Sequence, residues 1–205
     1  MHPAIEGLAT ATIMLLKAKA EDLNLTPRMI GSIQPYCAVE PADLPVLDLL
    51  PGILSDTAPE TADLAQAIVN AAPHLAWRQT YSEADGFDRR YLDSYGWFDL
   101  AGPDGPYRAD GFRVMMGYWG QGLIYPNHSH PPEEHYLVLA GGAKFRLNDD
   151  PYRRLGPGEI FHTPAGAIHS ADMRDEPLMA MSIWRAEDVT VRINLTESDR
   201  EVVKR

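Results

Sequence analysis

The chain has 205 residues, of which 45% are hydrophobic and 23% charged, enough for one globular domain with a buried core and unlike a disordered or fibrous protein. Eighteen Lys and Arg stand against 29 Asp and Glu, a net charge of -11 with no basic run, which argues against nucleic acid or an anionic membrane as partner. A single cysteine, Cys37, excludes an intrachain disulfide framework and Cys-rich zinc sites, so a reducing, cytoplasmic location is expected.

In chain order, residues 4–22 place Ile5, Leu8, Thr12, Leu15 and Leu16 near one face at helical spacing, which predicts an amphipathic helix. Its apolar stretch over residues 8–16 is too short to span a bilayer. Lys17 and Lys19 crowd the end of that stretch and no Lys or Arg precedes it, the reverse of a signal peptide. A second, Ala-rich helix is predicted over residues 63–72 with Thr61 as its cap, and Pro41, Pro45, Pro51 and Pro59 break the segment between. Three to five short helices are expected, packed on the outside of a β structure formed by the rest of the chain.

Only three of the 16 glycines precede residue 75, and beyond it glycine, tyrosine and β-branched residues become frequent. Strands are predicted over residues 95–100, 112–119, 135–139, 143–147, 160–163 and 178–184, separated by Gly/Pro turns such as 101–106 and 156–158. Regular short strands with such turns define a mainly β sandwich or barrel. The expected organisation is therefore a helical extension over residues 1–75, packed on a β-barrel over residues 76–205, with a solvated charged tail at 197–205. The helices could cover an exposed strand edge, so a monomer and a homodimer are equally compatible with the pattern.

Five of the seven histidines, His128, His130, His135, His162 and His169, fall within 42 residues of the β region. His128 and His130, at i and i+2, project to the same side of an extended strand, and Glu134 follows across the Pro131-Pro132 kink. His169 comes just after Pro164-Ala-Gly166, where a tight turn can return the chain beside the first three. Three nitrogens and one carboxylate suit one divalent transition metal ion, and ligand type alone does not choose among Fe(II), Zn, Mn, Co and Ni.

Gly122, His128, His130, Glu134 and Gly141 stand at the spacings of the first metal-binding motif of the cupin superfamily. Gly158, Pro164, Gly166 and His169 resemble its second motif, with Met173 where cupins usually carry Asn, a departure that touches no ligand. The resemblance implies a cupin jelly-roll barrel with the metal at its centre. More narrowly, the helical extension, the aromatic run Tyr118-Trp119-Gly-Gln-Gly-Leu-Ile-Tyr125, the Glu134-His-Tyr136 sequence and a late Trp184 resemble the cupin-type dimethylsulfoniopropionate (DMSP) lyases.

That likeness implies β-elimination of a small zwitterionic substrate, DMSP, to dimethyl sulfide and acrylate. It assigns Tyr136 as the base, His128, His130, Glu134 and His169 as metal ligands, and Tyr125 and Trp184 as pocket aromatics. Trp119 joins them as a candidate aromatic face for the sulfonium. Glu134 and Tyr136 share one facing of a strand, so the phenol can reach the cavity that holds the ligands, while His135 points the other way. The same ligand set on the same barrel would also serve an Fe(II) dioxygenase, an isomerase or a non-catalytic ligand-binding cupin. Outside this constellation, His162 reads as a strand residue, His135 as a solvated or interface residue, Cys37 as a small buried hydrophobe, and the pairs Arg89-Arg90 and Arg153-Arg154 as surface charge.

Overall fold

The computed structural model describes residues 1–190 and 194–195; the charged tail at 197–205 lies outside the described residues. Among the described residues are four α-helices: α1 (Pro3–Ala18), α2 (Pro27–Gly31), α3 (Ala62–Ala71) and α4 (Arg89–Asp93). Pro at the first turn starts both α1 and α2, where a missing N–H costs nothing. Between α2 and α3, Pro45–Ser55 forms a 3-10 helix that contains Pro51, so these prolines shape a helical segment rather than breaking one. Thr61 does stand at the N-cap of α3 but makes no side-chain cap bond to it. Its hydroxyl instead donates to the Leu139 carbonyl at 2.7 Å.

The same residues form twelve strands: β1 (Gln34–Pro35), β2 (Tyr95–Ala101), β3 (Tyr107–Arg108), β4 (Phe112–Trp119), β5 (Ile124–Ser129), β6 (Glu133–Gly141), β7 (Ala143–Leu147), β8 (Arg153–Leu155), β9 (Ile160–Thr163), β10 (His169–Asp172), β11 (Leu178–Arg185) and β12 (Asn194–Leu195). They build a seven-stranded sheet, β1-β3-β2-β4-β11-β6-β9, and a five-stranded sheet, β12-β5-β10-β7-β8. These strands all pair antiparallel except β2 with β3. The expected strands at 112–119, 143–147 and 160–163 coincide with β4, β7 and β9, and the others fall within one or two residues of β2, β6 and β11.

The large sheet is buried on both faces, which is why β4 and β11 read as nearly unbroken apolar runs. Alternation along β6 and β11 divides the side chains between two cores. Leu137, Leu139, Met179, Met181 and Ile183 turn outward into a cluster shared with Leu8, Leu16, Leu64 and Ile68 of the helices. Val138, Leu178 and Ala180 turn inward to join Tyr95, Trp119, Tyr125, Tyr136 and Phe145 inside the barrel. Each fully buried aliphatic side chain contributes about 1.5–3 kcal/mol. The helical layer is also stitched to the end of β6: Gly141 N–H donates to the Asp56 carbonyl at 2.8 Å, and Thr57 bridges to Ala140. Gly141 itself has φ 66, and a Cβ there would lie 2.0 Å from the Pro177 carbonyl oxygen, so only glycine fits.

Candidate metal centre and active site

The two sheets meet around four side chains. His128 on β5 and His169 on β10 are direct cross-strand partners in the small sheet. His130 lies one residue beyond β5, and Glu134 projects from β6 of the large sheet. The turn of the second motif returns the chain as expected, with Gly166 at φ 74 donating its N–H to the His130 carbonyl at 3.0 Å. Position 173 makes its contacts through the backbone: Met173 N–H donates to the Leu123 carbonyl and its own carbonyl accepts from Gly122 N–H, both at 2.9 Å. Its side chain is then free to fill the barrel core, where Asn would be a buried amide.

One ligand atom from each of His128, His130, Glu134 and His169 lies within 4.8 Å of the others, and all four residues are at most 2% exposed. Each imidazole has its Nδ1 against a backbone carbonyl: His128 at 2.7 Å from Pro126, His130 at 2.9 Å from Pro132, and His169 at 3.1 Å from Ala167. A carbonyl only accepts, so the proton sits on Nδ1 in all three rings, and in the neutral rings Nε2 is left as a lone pair. Two of those nitrogens, on His130 and His169, approach Glu134 Oε2 at 2.9 and 3.1 Å. His128 Nε2 is buried with no hydrogen-bond partner among the described residues. A buried orphan nitrogen aimed at a carboxylate and two like nitrogens is a donor set that fits a divalent metal ion.

Glu134 is held from behind. Its Oε1 accepts from the Ser182 hydroxyl and, at 2.7 Å, from the Trp184 indole N–H, both on β11 beside β6. Burial and the neighbouring His169 push His128 well below its ordinary value, keeping the ring neutral. Burial opposes the His130 cation too, but the Glu134 carboxylate outweighs it and raises that ring. For Glu134, burial works against ionisation, and His130 and His169 more than offset it, holding the carboxyl well below the usual range.

A cavity of about 800 Å³ opens onto this group, with Glu134, Tyr136, Ser182, Trp184, Trp119 and Tyr125 on its wall. Tyr136 is buried beside Trp119 at 6.3 Å and His169 at 6.5 Å between ring centroids. Burial first, then the Glu134 charge, pushes its phenol well above the ordinary tyrosine value. Tyr125 packs edge-on against both His128, at 4.6 Å, and Trp119, at 5.5 Å. Trp184 has His130 at 4.2 Å and the Arg113 guanidinium at 5.5 Å from its ring, so part of its surface is already engaged. The structure thus brings together every candidate residue of the constellation.

Sequence reasoning missed two polar groups at the cavity, Ser182 and Arg113. Ser182 stands two residues before Trp184 on β11 and so shares its facing, a signal visible once Trp184 is placed inside. Arg113 lines the cavity and pairs with Asp99 at 2.5 and 2.8 Å; both are buried, and nothing local in sequence links residues 14 apart on β2 and β4. Two expectations outside the site are corrected. His135 is only 5% exposed, because its ring stacks on His162 at 4.5 Å across the β6–β9 pair. Cys37 is exposed, since residues 36–38 run over the surface beside β1.

A two-sheet antiparallel barrel with three inward imidazoles and a carboxylate at its centre is a cupin. The dimethylsulfoniopropionate lyase family model matches residues 28–180. A curated relative, the dimethylsulfoniopropionate lyase DddQ of Ruegeria pomeroyi, is 32% identical over 98% of both chains. The crystal structure of DMSP lyase DddQ from that organism superposes with a TM-score of 0.85 at 31% identity, covering 96% of this chain and 98% of that one. A chain from the crystal structures of the DMSP lyases RdDddP and RnDddQII gives the same TM-score and identity over 95% and 98%. The chain therefore belongs to the dimethylsulfoniopropionate lyase family. Among the described residues no helix is long and apolar enough to cross a membrane.

Proposed function

We propose that this protein is a carbon-sulfur lyase that cleaves DMSP by β-elimination to dimethyl sulfide and acrylate. The single observation that carries the reading is that Glu134, held at the histidine cluster, and Tyr136 open from one face of β6 onto one cavity, in a chain of the DMSP lyase family. His128, His130, Glu134 and His169 would hold one divalent transition metal ion, Fe(II), Zn, Mn, Co or Ni. When bound, that ion supplies a Lewis acid for the substrate carboxylate and a positive charge that opposes the upward push on the Tyr136 phenol.

The remaining work belongs to the chain. Tyr136, as phenolate, takes the proton from the carbon next to the carboxylate. The electron pair of that C–H bond becomes the carbon-carbon double bond, the carbon-sulfur bond breaks, and neutral dimethyl sulfide leaves without needing an acid. Trp119 and Tyr125 face the sulfonium, each worth about 0.5–2 kcal/mol by cation–π attraction. Trp184 lines the same pocket, and its indole N–H fixes Glu134.

The experiment is headspace detection of dimethyl sulfide, with acrylate followed in solution, after DMSP is mixed with protein loaded separately with each of the five metals. Release of both products in equal amounts, dependent on the metal, is expected. A folded, loaded protein that releases neither with any metal would overturn the reading.

A further inference from the structure

Strand β6 places residues on its outer face as regularly as on its inner one. Glu133 and His135 sit at i and i+2 and project away from the barrel interior. On the neighbouring edge strand β9, His162 is the direct register partner of His135. Two residues at i and i+2 on one strand, with a third straight across on the next, form a three-donor set like that of strand-built metal centres.

The atoms agree with that placement. One ligand atom from each of Glu133, His135 and His162 lies within 4.8 Å of the other two. His162 Nε2 is 2.7 Å from Glu133 Oε1, so these two donors already converge. Arg185 donates to the other oxygen, Glu133 Oε2, which fixes the carboxylate and leaves Oε1 facing the imidazoles. His135 is 5% exposed, and its Nδ1 is buried with no hydrogen-bond partner among the described residues, an acceptor or donor that the protein itself does not satisfy. His162 has 48% of its side chain in solvent, which provides both an entry path and the freedom to close the last ångström of ligand spacing.

We propose that Glu133, His135 and His162 form a second divalent-metal site on the outside of the barrel. Two imidazoles and one carboxylate with room for a water select Zn(II), Cu(II) or Ni(II) rather than Mg(II) or Ca(II). The nearby Arg185 cation weakens this site relative to the inner one. An ion there clips the edge strand β9 to β6.

Equilibrium dialysis of the full chain against micromolar Zn(II), with zinc per chain read by elemental analysis, tests the site. The unaltered protein is expected to take up two equivalents, and His162→Gln one, with lyase turnover and the circular dichroism spectrum unchanged. Glu133→Gln, which leaves both imidazoles in place, is expected to weaken the second equivalent at least tenfold. A single equivalent in the unaltered protein, or a second that survives His162→Gln, would overturn the proposal; the latter result would place the ion elsewhere, for instance at the stacked pair His2 and His74.

Discussion

The two faces of β6 carry histidine and glutamate chemistry under different constraints. On the inner side each imidazole that meets Glu134 has its Nδ1 spent on a backbone carbonyl, and Glu134 has two donors behind it, so the chain itself holds these side chains in place. On the outer face, among the described residues, His135 Nδ1 has no hydrogen-bond partner, His135 and His162 stack on each other, His162 reaches Glu133, and half of the His162 side chain is in solvent. The residue types are the same; what differs is the number of bonds that hold each donor still. Preorganisation of that kind separates a centre suited to chemistry from one suited to structure.

Substitutions on the inner face should sharpen this contrast most. Removing a donor outright, as in His169→Ala or Glu134→Gln, is expected to abolish both metal retention and dimethyl sulfide release, measured by elemental analysis and headspace assay on the same sample. Tyr136→Phe keeps all four donors; turnover is expected to fall about 100- to 10,000-fold while metal content holds, and full turnover in a loaded variant would remove Tyr136 from the mechanism. Trp184→Phe leaves the donors and the base but deprives Glu134 of one N–H. Metal affinity should drop about 10- to 100-fold in a competition titration, with a smaller loss of turnover at saturating metal.

On the outer face the expected effect is smaller and shows as pH dependence of stability. Burial first, then His162 and Arg185, lower His135 to about 4, against about 6.5 in the unfolded chain. The unfolded state thus takes up this proton first as pH falls. The stability associated with a neutral His135 is complete above about 6.5 and is lost progressively towards 4. Urea unfolding of metal-free protein at pH 7 and pH 5 should show a larger loss of midpoint for the unaltered chain than for His135→Gln. Equal losses would mean that His135 is solvated after all.

Much of this was readable in the residues, for identifiable reasons. Strands buried on both faces are apolar runs with sharp ends, so β4 could be bounded to the residue. Three inner donors, His128, His130 and Glu134, were legible from local spacing, and His169, 35 residues beyond Glu134, from its place just after the Pro164-Ala-Gly166 turn. The two-residue strands β1 and β3 and the mostly exposed β8 carry no alternation to detect. Pro45 and Pro51 read as breaks because a 3-10 helix tolerates proline where an α-helix would not. Ser182 was hidden as a lone hydroxyl in an apolar run, and Thr61 was placed at the right cap but not given its real partner, Leu139, which lies 78 residues away. Long-range pairing of this sort leaves no local mark.

The seam between residues 56–61 and the end of β6 bears on how the active site could be moved into other proteins. A barrel cut free of its helices would bare Leu137, Leu139, Met179, Met181 and Ile183 together and leave the Leu139 carbonyl and the Gly141 N–H without their partners, a sticky sheet face on the same strand that positions Glu134 and Tyr136. A graft of this centre onto a minimal scaffold must therefore carry the helical cladding with it, or repaint that face with polar side chains before the site is installed.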